Sequence, residues 1–590
     1  FGVKDTYRYK HNLKPQLEAK LFAYTDSANT IDVKVKASYE KARKSYEEKS
    51  ASYGYQPDQF AYHSLKEALS AKPGDALYDR LITRDSEYES TELQQRGLNI
   101  SYIWKHFIGK KGSFMLGGYT NLSGTNEDTH TNRDVEYLRE QRNEKLWQFY
   151  DRSEHNLETQ FGASFDYWLG KKVYFNIFDN VRLSRTRIAR NFFSDTDEQN
   201  VANGTPTTAD PANTTRRLTH KWTNELTVKS TITPVKALMI MPMFKWNYSR
   251  EKADYHYGPL DTTAVRTSNT YEPSIFLKWK MSRVRNMDIS FVYNTTVPDL
   301  VSTLGYRNTI DPLHIYMGNP LLRNSHSHTT TYNYHRMWLR KQIVLGFTAS
   351  YNKDINPEAT LYSYNSATGV YTSKPMNVKG GDMWQFAFNY DQGIGFYFRL
   401  MNKFALETAK SYGFLTIVDN NAADAQPELN KQKRLGINND FEFSYETEKL
   451  QLTLFDRLES NRYRYDDASY NTTPLFNSVG ISANLHLAPF EVFVQLSDDY
   501  CSGYATSAMN GHKLKSMASV SWSFCKNKCM LRLFADDIFN KDIWYESEHS
   551  AFQRQEYSTN YIHHYLNLSF RYRFDAKAKN GKSTTMGRRR

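Results

Sequence analysis

The chain has 590 residues, a formal net charge of +12 and a mean hydropathy of −0.70, yet 15% of its residues are aromatic. No run of about 18 apolar residues occurs, which excludes a transmembrane helix. Three cysteines are too few for a disulfide framework, and the spread basic residues accompany no motif for a nucleic-acid partner. A membrane-spanning barrel strand escapes the helix test, because it needs only about 9–11 residues, half of them apolar.

Alternation of apolar and polar residues begins at Phe1, so a targeting sequence is expected to precede it. Strands are predicted over 1–11, 15–24 and 31–42, with 1–11 pairing to the final strand to close a barrel. The longest predicted connection, 43–94, holds many Tyr and charged residues. Helical spacing of Phe60, Leu65 and Leu69 predicts a small external helix over Asp58 to Leu69.

Hairpins follow. Leu157, Phe161, Ala163, Phe165 and Tyr167 alternate with Glu158, Gln160, Ser164 and Asp166. After a turn at 169–171, Val173, Phe175, Ile177, Val181 and Leu183 take one parity, with Asp179 as a blemish on the apolar side. Ile275, Leu277 and Trp279 behave likewise, as do Leu435, Ile437, Phe441, Phe443 and Tyr445. His326 and His328 share the parity of Tyr332 and Tyr334, so they are expected to face outward rather than bind metal. Carboxylates on the polar parity (Glu158, Asp166, Asp440, Glu442) are expected to balance lumen cations in hydrated ladders. Cys525 and Cys529 bracket a turn, as two free thiols or an incidental disulfide.

The final strand is the clearest. Leu566, Leu568, Phe570, Tyr572 and Phe574 take the parity expected to face lipid; Asn567, Ser569, Arg571 and Arg573 take the parity expected to face the lumen. Residues 575–590 are basic and poor in apolar side chains and are expected to be a disordered periplasmic tail. The fold class is therefore all-β: one transmembrane antiparallel β-barrel over 1–574, of about 22 strands, in a Gram-negative outer membrane. Short turns such as 169–171, 446–449 and 488–489 fall on the periplasmic side. Long loops (43–94, 123–154, 186–216, 297–325, 352–376, 409–432, 541–560) fall outside. An even strand count would put both barrel ends in the periplasm. Outer-membrane lipid and lipopolysaccharide are the expected surroundings. No nucleophile elbow or phosphate loop appears, so no catalytic residue, cofactor or metal is expected.

Two motifs carry a family resemblance. Asp311-Pro312-Leu313-His314-Ile315-Tyr316-Met317-Gly318-Asn319-Pro320-Leu321 resembles the "NPL…GNPxL" segment of TonB-dependent receptor-like barrels of Bacteroidetes outer membranes. Asp536-Asp537-Ile538-Phe539-Asn540 resembles their "DxFN" segment before the last external loop. Arg323-Asn324-Ser325 stands where that family continues with Lys-Pro-Glu, and the family's plug and TonB box are not in the sequence. The resemblance implies a transporter for a large polar ligand (glycan, peptide or chelate), a plug supplied by upstream sequence or a partner, and TonB. The alternative is a structural barrel that scaffolds surface lipoproteins or a secretion or assembly complex. From the residues alone, Gly318-Asn319-Pro320 reads as a turn that closes a long loop, with Gly and Asn tolerating φ > 0.

Overall fold

A computed structural model describes residues 2–53, 65–202, 205–365, 369–418, 428–504, 510–525, 528–539, 544–549, 554–559 and 564–573. Almost all of them lie in strands. The first two, β1 (Gly2–Leu13) and β2 (Gln16–Tyr24), run end to end along β3 (Asn29–Tyr53). A short helix, α1 (Leu65–Ser70), precedes β4 (Leu81–Ile108). Three long strands follow: β5 (Gly112–Tyr137), β6 (Arg142–Leu169) and β7 (Val173–Asp195). The small hairpin β8 (Val201–Ala202) and β9 (Thr205–Pro206) leads to β10 (Thr215–Val235), β11 (Leu238–Tyr257), β12 (Leu260–Ser282) and β13 (Arg285–Thr296).

After β14 (Arg307–Asp311) and β15 (His314–Met317) come β16 (Ser325–Trp338) and β17 (Ile343–Ile355). The pair β18 (Glu358–Asn365) and β19 (Tyr371–Asn377) precedes β20 (Asp382–Ile394), β21 (Phe398–Val418), β22 (Glu428–Glu446) and β23 (Leu450–Tyr465). The run ends with β24 (Leu475–Leu487), β25 (Phe490–Ser502), β26 (Gly511–Phe524) and β27 (Cys529–Asp536). An outer hairpin, β28 (Trp544–His549) with β29 (Arg554–Thr559), then leads to β30 (Tyr565–Tyr572).

Twenty-six of these strands form one sheet. Its wall is an antiparallel meander, each crossing paired to the next along the chain, as an outer-membrane barrel requires. Connections alternate: tight turns at 109–111, 170–172, 236–237 and 488–489 lie on the periplasmic side, and the longer segments lie outside.

Four expectations need correction. First, 43–94 and 123–154 are not loops. Direct pairing of β3 with β4 continues to Tyr53↔Leu81, and that of β5 with β6 to Tyr137↔Arg142. Beyond the membrane both faces of a strand are wet, so hydropathy stops alternating while the hydrogen-bond ladder persists. Second, 1–11 and 15–24 are not a hairpin. Both pair with β3 in one continuous register, Leu13↔Lys41 and then Gln16↔Ser38. Pro15 removes a ladder donor without turning the chain, a place open to Pro on an edge strand.

Third, among the described residues the wall makes 21 crossings, counting β1–β2 as one, close to the expected 22 but odd rather than even. Gly2 therefore lies opposite Ser52 at the outer end, and Tyr572 lies opposite Cys529 at the periplasmic end. Fourth, the two edges do not pair. Among the described residues β1 and β2 pair only with β3, and β30 only with β27. Both edge strands run from outside toward the periplasm, so an antiparallel seam between them needs one more strand running outward. Of the expected external helix, α1 covers 65–70; residues 58–64 lie outside the described residues, as does the tail 575–590. Cys525 and Cys529 are free thiols.

The wall has two chemically distinct faces. One carries the ion pairs: Lys245 with Glu225 and Glu272, Arg434 with Glu407, Lys515 with Asp499. The other carries exposed Leu, Ile, Val and aromatic residues. On that face Trp279, Phe398, Tyr445 and Trp522 lie near the periplasmic turns, while Trp222, Tyr248, Tyr271 and Trp384 lie toward the outside. Tyr271 and Trp279 are eight residues apart on β12. At about 3.4 Å per residue and a tilt near 40°, these rows stand roughly 20 Å apart along the normal, close to an apolar band of about 25 Å. His326 and His328 sit on this apolar face against Tyr293, Phe291 and Tyr351.

Candidate functional site

The site lies where the external segments turn back over the mouth. Strand β21 continues past the membrane to Val418, and its last turn pairs in parallel with β18, Leu361↔Phe414 to Asn365↔Val418. Strand β19 pairs antiparallel with β18, β15 pairs in parallel with β19, and β14 pairs antiparallel with β15. Four short strands thus hang from one wall strand as a small sheet, here called the lid. Its far side reaches wall strands β4, β5, β6 and β11. A sheet hung from β21 can touch those strands only from the concave side, so the wall residues it meets face the lumen.

The contacts are specific. The guanidinium of Arg133 on β5 holds Asp85 of β4 through two hydrogen bonds of 2.8 Å each. Its remaining arm donates to Asp311 of the lid at 2.5 Å and lies 3.7 Å from Glu87. Arg133 and Asp85 are both buried, at 8% and 5% exposure. Gln148 of β6 donates to the Ile310 carbonyl at 2.7 Å. Tyr306 packs against Tyr255 and Tyr257 of β11 and against Tyr316 of the lid. At the other end, a side chain at Gly369 would meet the Thr83 methyl at 3.0 Å, so the β18–β19 tip rests on β4.

The family-like segment supplies the joints of this lid. The Asp311 side chain accepts the Leu313 N–H, folding the β14–β15 turn around Pro312. Gly318 donates its N–H to the Tyr306 carbonyl. A Cβ there would stand 1.8 Å from the Leu304 oxygen, so only glycine fits. The expected reason was a positive φ; the actual one is close backbone approach, and Gly318 is not among the positive-φ glycines. Asn319 is buried and satisfied on three sides. Its N–H donates to Ser302, its amide to the Pro375 carbonyl, and its side-chain oxygen accepts Leu321 N–H. Pro320 follows as the chain leaves for β16. Asn377 at the end of β19 ties the same corner by bonding both the N–H and the carbonyl of Arg323.

One cation beside three carboxylates sets the electrostatics. These groups lie at the outer ends of the strands, beyond the apolar band. Burial pushes Glu87 up to about 7, the Arg133 charge opposes this, and Asp85 and Asp311 add to it. Asp85 is also raised, chiefly by burial. Arg133 loses by burial but gains more from Asp85, Asp311 and Glu87, so it stays charged.

The other singled-out residues lie elsewhere. Asp537 is buried at the outer end of β27 in a left-handed conformation, and its carbonyl accepts His564 Nδ1 at the start of β30. Phe539 is exposed, and Asn540 lies outside the described residues. On β30, Leu566, Leu568, Phe570 and Tyr572 oppose Ala535, Leu533, Leu531 and Cys529. Asn567, Ser569 and Arg571 oppose Phe534, Arg532 and Met530 on the other face. Arg573 follows the last paired residue, and Phe574 lies outside the described residues. Arg133, Asp85, Gln148 and Tyr255 went unnoticed, because a polar strand extension carries no periodic signal that marks one arginine among many.

The profile described as "Outer membrane protein beta-barrel family" matches residues 252–470, which includes β12 to β23 and the whole lid. No curated protein matches. Among solved structures, the siderophore receptor PiuA from Acinetobacter baumannii shares 9% identity at a TM-score of 0.47, over 97% of this chain and 81% of that one. The ferric yersiniabactin uptake receptor FyuA from Yersinia pestis shares 9% at 0.38, over 97% and 79%. The siderophore receptor PirA from Pseudomonas aeruginosa shares 9% at 0.35, over 82% and 76%. Residues 252–470 thus match an outer-membrane β-barrel family, and the antiparallel meander of the wall is the fold that description names.

Proposed function

We propose that this chain is the wall and external gate of an outer-membrane transporter that admits a large polar ligand (a glycan, peptide or chelate) through its lumen. The observation that carries the reading is the lid, hung from β21 and pinned across the mouth by the Asp311–Arg133 pair. A barrel that served only as a scaffold would have no use for a cross-lumen sheet whose far end rests on one arginine and a tyrosine cluster. Buried carboxylates around one arginine are costly to hold and are released by small changes in partner or protonation. A ligand with its own charges is the natural competitor for Arg133. A plug from upstream sequence or a partner, with TonB as the source of pull, belongs to the same proposal, in line with the motif resemblance.

The test is to lock the lid. In a background with the three native cysteines replaced by serine, Thr83→Cys with Gly369→Cys places two thiols at the contact between β4 and the lid tip. In the full-length protein reconstituted in liposomes, oxidation is expected to abolish swelling by an oligosaccharide series and reduction to restore it. If the oxidised protein passes every sugar as the reduced protein does, the lid is no gate. A structural barrel that scaffolds surface lipoproteins would then be the better reading.

A further inference from the structure

On the outward face, five consecutive wall strands bring one row of side chains into direct register. The row runs Leu157, Arg185, His220, Lys252, Val265 across β6, β7, β10, β11 and β12. The next row toward the periplasm places Leu183, Trp222 and Arg250 side by side. Together they line a groove of about 610 Å³. Three cations and a histidine thus edge a groove whose floor is Leu183, Trp222 and Val265.

The height of the row is informative. Trp222 meets Tyr248 edge to face in the outer aromatic row. Arg185, His220 and Lys252 stand one step beyond it, at the top of the apolar band, where headgroups of the outer leaflet lie. The charge there is uncompensated. On the inward face at this height, Lys221 and Arg266 pair with Glu251, and further down Lys245 pairs with Glu225 and Glu272. Outward, only Lys252 has one, an exposed contact with Asp254 at 3.2 Å. Arg185 and Arg250 have no carboxylate partner among the described residues. Like charges on adjacent strands repel, so an anion seated in the groove stabilises this arrangement. An anion with an apolar body fits it, because the groove floor is apolar and continuous with the lipid-facing wall.

We propose that this groove binds the phosphorylated sugar headgroup of an outer-leaflet glycolipid, with Arg185, Arg250 and Lys252 on phosphate and its acyl chains along Leu183, Trp222 and Val265. Arginine suits phosphate because its fork presents paired donors. The inference rests on the orientation of the wall and stands whether or not the lumen conducts.

The probes are diphosphorylated lipid A, the same lipid after phosphatase treatment, and inorganic phosphate. Full-length protein in detergent is mixed with each, and retention is read by native mass spectrometry. The triple variant Arg185→Gln/Arg250→Gln/Lys252→Gln is compared with Arg266→Gln, which removes a cation at the same height on the inward face. Wild type and Arg266→Gln are expected to keep diphosphorylated lipid A, the triple variant to lose it at least tenfold, and the phosphatase-treated lipid to bind weakly to all three. Gel shift on heating verifies that each variant is folded. Equal retention by a folded triple variant overturns the site. Equal retention of the dephosphorylated lipid by wild type reduces it to an apolar groove and overturns the phosphate contact. If inorganic phosphate displaces the lipid at equal concentration, the ligand is a free anion and the lipid assignment falls.

Discussion

The wall and the lid are both β-sheet, yet they are held by different physics. In the wall, each strand has two neighbours and two environments, water on one side and hydrocarbon on the other. Hydrogen bonds close within the sheet, and side-chain choice is dictated residue by residue with a period of two. In the lid, strands of four to eight residues have short faces of mixed polarity, with Ala359, Leu361, Met376 and Ile315 beside Lys374 and Thr372. They are fixed by a glycine that admits a backbone oxygen, an asparagine that bonds in three directions and one arginine across the mouth. A wall tolerates many local changes and fails when the pattern is inverted. A lid is expected to tolerate almost none at its joints, and its failure to leave the wall intact.

The sharpest way to break the comparison is at Gly318. Any side chain there collides with the Leu304 carbonyl at 1.8 Å, a clash with backbone that no rotamer relieves. Gly318→Val is expected to free the lid entirely while the barrel still assembles. Limited proteolysis should cut within 297–325 in the variant alone, and the heat-modifiable band should persist. Loss of that band would mean that the lid is part of the folding core of the wall.

Arg133→Leu comes next. It strands Asp85, Glu87 and Asp311 without their cation, and removing one partner of a buried ionic cluster costs about 3–5 kcal/mol. The lid should detach nearly as fully as with Gly318→Val. Asp311→Asn is milder, because Arg133 keeps Asp85, and is expected to cost about 1–2 kcal/mol of docking. Hydrogen exchange over 307–317 orders the three variants. If Asp311→Asn exchanges as freely as Arg133→Leu, Asp311 alone holds the lid.

For the wall, the corresponding test is face inversion on β30. We propose that Leu566, Leu568, Phe570 and Tyr572 meet lipid, since the register continues them onto the face of Leu531 and Leu533. Phe570→Arg then costs roughly 2–4 kcal/mol at mid-membrane, while Ser569→Arg, on the face of Arg532, costs little. Folding yields measured side by side should differ severalfold, and equal yields would reverse the facing.

This difference also explains what could be read in advance. The hairpins at Leu157–Tyr167 and Leu435–Tyr445 were legible because lipid and water each select a residue class at alternate positions. The strand extensions beyond Gln94 or Ser123 were not, because water on both sides selects nothing. The β1–β2 run misled for a different reason: Pro15 looks like a turn residue, but in an edge strand its missing N–H costs little. The lid segment was visible as Asp311 to Pro320, since Gly, Asn and Pro mark constrained backbone. Its destination was not, because Arg133 lies on β5, far away in sequence, and nothing local says which arginine an aspartate will meet.

The remaining effect expected is the dependence of lid docking on pH. Glu87 lies 3.7 Å from Arg133, and burial pushes it up to about 7, against an ordinary 4.5. Glu89 beside it is also raised, mainly by burial. When the lid lifts, Glu87 regains water and loses the Asp311 charge, so it falls toward its ordinary value. The docked form therefore binds a proton more tightly than the released form. Below about pH 4.5 both are protonated and docking is tightest. Between about 4.5 and 7 the released form has shed a proton that the docked form keeps, so docking weakens as pH rises. Above 7 both are ionised and the weaker docking stays constant. A fluorophore at Leu321→Cys, an exposed lid position, reports this as rotational freedom. In the background without the native cysteines, the released fraction should rise from pH 5 to pH 8. Glu87→Gln removes the titrating group, so its lid should stay docked at pH 8 and its profile should be nearly flat. A profile as steep in the Glu87→Gln variant would move the switch to Asp85 or Glu89 and leave Glu87 as one more hydrated carboxylate of the mouth.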